Sequence, residues 1–133
     1  MAADDKTRLS LYQLMVELRD FEQRAYDLFM ENLIKGTSHL ALGQEAIAAG
    51  FATAMRKDDY TFCTYRGHGH TLARGASMAE AMGDVLGRSN GMLHGKSGSM
   101  HLTEVKHGAM GHYAIDGPHL PTAARPQNLN HFG

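Results

Sequence analysis

Tyr65, Arg66, Gly67, His68 and Gly69 put the most chemistry into the fewest residues of this chain. They follow Tyr60-Thr61-Phe62-Cys63-Thr64, a β-branched and aromatic run without Gly or Pro that predicts a strand. A strand ending in Tyr-Arg-Gly-His delivers a hydroxyl, a guanidinium and bare backbone amides to one spot. That set suits an anion, most of all a phosphate. Arg66 offers a planar fork of donors, and Gly67 and Gly69 let the backbone come close. Residues 69–74 read as a helix whose free N–H groups point at the same anion. The plainer reading is a surface ion pair and a packed ring, and these residues alone leave both open.

Other candidates are weaker. His39 lies in the glycine-bracketed loop 36–45, where an isolated histidine caps or bonds locally. The long loop 91–102 is of a length that is usually functional in a compact domain. Its Gly95-Lys96-Ser97 does not complete a phosphate-binding P-loop: Asn90 stands where the first glycine belongs, and no strand precedes it. The histidines do not announce a metal. His68, His70, His94, His101, His107 and His112 form no helical His-x-x-x-His pair, and Cys63 sits inside the predicted strand. No metal site is expected.

The elements that must position these groups follow from periodicity. Leu11, Leu14, Met15, Leu18, Phe21, Ala25, Leu28 and Phe29 recur at three- and four-residue steps, which predicts an amphipathic helix over 6–34 stopped by Gly36. Its charged face, with Glu17, Arg19, Asp20, Glu22 and Arg24, is read as solvated. Residues 44–55 predict an alanine-rich second helix. Ser77 and Glu80 form a capping box that starts a short helix over 78–86, ended by Gly87.

Composition bounds the class. A chain of 133 residues is one domain at most, and 43% hydrophobic content is ordinary for a globular protein. A net charge of −1 gives no pull on nucleic acid or anionic membranes. The single cysteine excludes an internal disulfide and fits a reducing, cytoplasmic compartment. No apolar run is long enough to span a membrane, and no signal peptide is evident.

Taken in order, His39-Leu40, Gly43-Gln44-Glu45-Ala46, Tyr65-Arg66-Gly67-His68-Gly69, Gly75, Gly95-Lys96-x-Gly98-Ser99-Met100-His101 and Gly117-x-His119-Leu120-Pro121 resemble the α subunit of thiamine-diphosphate-dependent 2-oxoacid dehydrogenases. These are the E1 components of the pyruvate, branched-chain and acetoin dehydrogenase complexes, and the pyruvate and acetoin type is nearest. The resemblance implies a three-layer α/β sandwich with a parallel sheet, of which residues 1–124 are the N-terminal, mostly helical part. It implies that Tyr65 and Arg66 hold the cofactor's diphosphate. By the same resemblance His39 lines the cofactor and substrate pocket, and Ala114 and Asp116 lie beside the aminopyrimidine. The implied partners are an E1 β subunit in a heterotetramer, a lipoyl-bearing E2 acyltransferase and a small 2-oxoacid.

The chain departs from the family's usual pattern at Ser97, Asp116 and Pro118, where Gly, Val and Ala are the rule. An acid beside a neutral ring must reach water or a donor, or its burial is costly. Residues 125–133 look unrelated to the family. Pro126 should break the helix expected there, and the family's Mg²⁺-binding Gly-Asp-Gly motif is not in this chain. Two functions are therefore expected: an incomplete dehydrogenase E1 α subunit, or a non-catalytic remnant serving as a subunit-interaction module. A histidine metal protein is a distant third.

Overall fold

The computed structural model describes residues 3–115 and 117–129. They form an α/β arrangement, about half helical, around a two-stranded parallel sheet. The order is α1 (Asp5–Met30), α2 (Glu45–Ala54), β1 (Thr61–Thr64), α3 (His68–Ala73), α4 (Met78–Val85), a 3-10 turn (Val105–His107), β2 (Ala109–Tyr113) and α5 (His119–Leu129).

The first helix starts where the sequence predicts and stops earlier. Asp4 caps it by accepting from the Thr7 N–H at 2.8 Å. It ends at Met30 because Asn32 takes a left-handed conformation, φ 60°. The Asn32 and Leu33 N–H groups then return to the Phe29 and Leu28 carbonyls, each at 2.9 Å. That is the Schellman closure, with asparagine where glycine is commoner. Lys35 adds an ammonium contact to the Asn32 carbonyl at 2.6 Å. Gly36 is thus not the stop, and Ile34 is buried in the core after the chain has turned back.

The core joins Leu18, Phe21, Ala25 and Leu28 of α1 to Ala48 of α2, Leu72 of α3, Ala81 and Val85 of α4, and Leu102. Glu22, at i+4 from Leu18, lies on this same stripe and is 1% exposed. The reading of Glu22 as solvated is therefore wrong. Arg19 is half exposed, and it too is engaged: it grips the buried Glu45 with two bonds, of 2.6 and 2.9 Å.

The sheet is parallel as expected, and the second departure is where its second strand lies. Ala109-Met110-Gly111-His112-Tyr113 carries no strand signature, yet it pairs with β1 through Thr61↔Ala109, Cys63↔His112 and Thr64↔Tyr113. Two residues of β1 thus face three of β2. The extra residue is a bulge, and Gly111 supplies its φ of 136°. Arg74 fastens the other end of the pair, donating to the carbonyls of His107, Arg56, Lys57 and Asp59 at 2.8–3.1 Å. A Pro126 break is not seen, since α5 runs on to Leu129. Pro121 stands in the first turn, where a missing N–H costs nothing, whereas Pro126 stands in the interior, where a proline is unfavourable.

The loop after α4 is held from below by Asp84. Its buried carboxylate accepts from the backbone N–H groups of Leu93 and Gly95. Gly91 must be glycine there, because a Cβ would fall 2.5 Å from the Asp84 nitrogen. Replacing Asp84 with alanine strands two N–H groups. We expect Asp84→Ala to cost about 2 kcal/mol or more, read by urea denaturation, with faster amide exchange at Leu93 and Gly95.

The chain leaves apolar side chains in water in an ordered way. Leu9, Tyr12 and Val16 make one exposed line on α1, and Ile47 and Phe51 another on α2. The chain alone should therefore self-associate, and a clean monomer in sedimentation velocity across a concentration series would contradict this.

Candidate functional site

Parallel pairing brings the carboxyl ends of both strands to one edge. Tyr65 and Arg66 follow β1, and Ala114 follows β2 one residue beyond the Thr64↔Tyr113 pair. Crevices at strand carboxyl ends are the usual ligand sites of such sheets. The loop before α2 reaches the same place. The His39 ring lies 4.5 Å from the Tyr65 ring, tilted by 53°. Arg66 sits 5.8 Å from the Tyr65 ring centroid, and its Nη1 donates to the Leu40 carbonyl. His39, Tyr65 and Arg66 therefore form one half-buried cluster. His39 makes no local cap: α2 has none from a side chain, and the Gly43 N–H bonds Glu45 instead. Ala114 is exposed at the same edge, and Asp116 lies outside the described residues.

Gly67 and Gly69 have a packing purpose within the fold. A Cβ on Gly67 would lie 2.2–2.5 Å from the His112 ring, and one on Gly69 would press the Ala48 methyl at 3.3 Å. Both glycines admit neighbours from within the fold. The helix they open is only six residues long.

Behind the cluster runs a buried polar chain. His68 has no solvent exposure. Its Nε2 donates to the Ser99 carbonyl at 2.7 Å and lies 3.0 Å from the Ser99 hydroxyl. Its Nδ1 faces both carboxylate oxygens of Glu22 at 3.3 Å. The Ser99 hydroxyl meets that of Ser38 at 2.7 Å, beside His39. His112, also buried, contacts the Thr71 hydroxyl at 2.8 Å through Nε2. Sequence reasoning missed this chain. The available signal was Glu22 standing at helical spacing between Leu18 and Ala25.

Three titratable groups show large displacements. Burial, then the neighbouring His68, His70 and His101, push His112 down to about 3, so it is neutral at ordinary pH. The Arg19 hydrogen bonds hold Glu45 down to about 2 against the opposing effect of burial. Burial lifts the Cys63 thiol to about 12, which keeps it protonated. Among the described residues no group of three or more His, Cys, Asp or Glu is placed to hold a metal ion. No described helix is long and apolar enough to cross a membrane.

The Dehydrogenase E1 component family model matches residues 13–124. The chain belongs to this family. Among its relatives, the α subunit of acetoin:2,6-dichlorophenolindophenol oxidoreductase from Bacillus subtilis is 34% identical over 117 residues, covering 88% of this chain and 35% of the relative. The pyruvate dehydrogenase E1 component subunit alpha of Zymomonas mobilis is 39% identical over 123 residues, with 92% and 35% covered. The mitochondrial pyruvate dehydrogenase E1 component subunit alpha of Saccharomyces cerevisiae is 40% identical over 118 residues, with 89% and 28% covered. The chain thus spans about a third of the length of these E1 relatives.

The depressed groups set the acid response. The unfolded chain protonates His112 below about 6.5, while the folded chain resists to about 3. The unfolded state therefore binds more protons in that window, and stability falls as pH drops through it. Glu45 adds a second loss between about 4.5 and about 2. Denaturant midpoints measured against pH should show both declines. His112→Asn should flatten the upper one, and Arg19→Met the lower one.

Proposed function

We propose that this chain is the N-terminal part of the α subunit of a thiamine-diphosphate-dependent 2-oxoacid dehydrogenase of pyruvate or acetoin type. The observation that carries this reading is the convergence of His39, Tyr65 and Arg66 at the carboxyl edge of the parallel pair. The donor set fits a diphosphate. Arg66 uses Nη1 on the Leu40 carbonyl and keeps its remaining donors for an anion. Tyr65 supplies an adjacent hydroxyl, and His39 packs on its ring. Ala114 supplies backbone at the same edge, and Asp116 is assigned to the aminopyrimidine side. When bound, thiamine diphosphate serves as the electron sink for decarboxylation of a 2-oxoacid.

This chain's own residues bind and orient rather than transfer protons. Arg66 neutralises the diphosphate, and its bond to Leu40 ties the anion site to the loop bearing His39. In a heterotetramer an E1 β subunit would supply the group that acts on the aminopyrimidine, and a lipoyl-bearing E2 acyltransferase would be the acceptor. The buried, protonated Cys63 suits a reducing, cytoplasmic setting. A second reading, a non-catalytic subunit-interaction module, draws on the exposed apolar line of Leu9, Tyr12 and Val16.

The test is made in the chain joined to the remainder of its subunit and assembled with a β subunit. Arg66→Ala removes charge-assisted contacts worth about 1.5–3 kcal/mol each. The thiamine diphosphate needed for half-maximal activity should rise roughly ten- to a hundred-fold, with a much smaller change in maximal rate. Arg66→Lys should restore only part, because an ammonium lacks the planar fork. An unchanged half-saturation point in folded Arg66→Ala would remove Arg66 from the diphosphate site.

A further inference from the structure

The buried chain behind the cluster touches both segments that carry it. His68 is two residues past Arg66, and Ser38 immediately precedes His39. The chemistry of the bonds constrains the protons. A carbonyl only accepts, so His68 Nε2 carries a hydrogen toward Ser99. The Glu22 carboxyl faces Nδ1, so a side chain that is 1% exposed in an apolar core has a polar partner there. Glu22 Oε1 has no hydrogen-bond partner of its own. A cavity of about 10 Å³ is lined by Glu22, Glu45, Arg66 and His70 among others.

We propose that Glu22 is a positioning residue for the His39–Tyr65–Arg66 site. Through His68 it fixes the turn that follows Arg66, and through Ser99 and Ser38 it fixes the loop that carries His39. This rests on reading that cluster as the cofactor site. Neither Glu22 nor His68 is placed to touch the ligand. Their effect is to hold two loops, 26 residues apart between Leu40 and Arg66, at one separation from a helix that both must pack against.

The cluster itself supplies a reporter that needs no cofactor: the nuclear Overhauser contact between the His39 and Tyr65 rings, 4.5 Å apart between centroids. In the isotope-labelled chain Glu22→Leu should abolish this contact while far-ultraviolet circular dichroism stays native. Glu22→Gln keeps shape and a hydrogen-bonding group toward Nδ1, and should retain it. Val85→Ala, a core truncation in α4 away from the relay, should retain it too, which separates positioning from general loss of stability. Persistence of the contact in folded Glu22→Leu, or its loss in Val85→Ala, overturns the proposal. If Glu22→Leu does not fold, Ser99→Ala decides. It keeps the carbonyl that His68 needs and cuts the link to Ser38, so the contact should be lost, and its survival overturns the relay. Half-saturation by thiamine diphosphate in Arg66→Ala tests the site itself, so either result can fail without the other.

Discussion

A fully buried histidine at the first turn of α3 constrains much of what surrounds it. His68 has two ring nitrogens and no water, so each needs a partner from the fold. The Ser99 carbonyl answers one and Glu22 the other. Each answer drags an element into place. Glu22 fixes the rotation of α1 about its axis. Ser99 fixes the end of the glycine-rich loop. Removing any one partner leaves a buried polar group or a buried charge, which costs more than the bond itself contributes.

The second constraint is parallel pairing. Two parallel strands cannot be joined by a tight turn, so a long crossover must run between them. Here it contains α3, α4 and the Asp84-held loop. The pairing sets both carboxyl ends at one edge, and Arg74 clamps the opposite end through four backbone carbonyls. An arginine used in this way is a staple, because carbonyls left bare beside a strand start would otherwise go unbonded. At the site edge the other arginine, Arg66, gives one donor to the Leu40 carbonyl.

Membership of the dehydrogenase E1 component family agrees with a site that is a half-buried shelf. His39, Tyr65 and Arg66 present one wall, and the relatives' greater length leaves room for further walls to come from elsewhere. The exposed apolar lines on α1 and α2 are of the same character, since such surfaces are commonly covered in an assembly.

The sequence by itself determined the local elements. Helical periodicity located α1 and α2, the Ser77–Glu80 box started α4, and the β-branched run marked β1. Each signal is short-ranged, set by propensity, capping or alternation. The Tyr65-Arg66 pair stood out as a candidate, with a surface ion pair and a packed ring as the plainer alternative. The fold decided what lies far apart in the chain. It placed β2, whose Gly111 and His112 hide a strand because the pairing partner and the bulge hold it, not its own propensity. It buried Glu22, because helical spacing fixes which face a residue occupies, while only the His68 brought in from 46 residues away makes that face habitable for a carboxyl. It packed Gly67 and Gly69 against the His112 ring and Ala48. It also joined His39 to Tyr65. Such contacts depend on which elements meet, and no window along the chain contains that information.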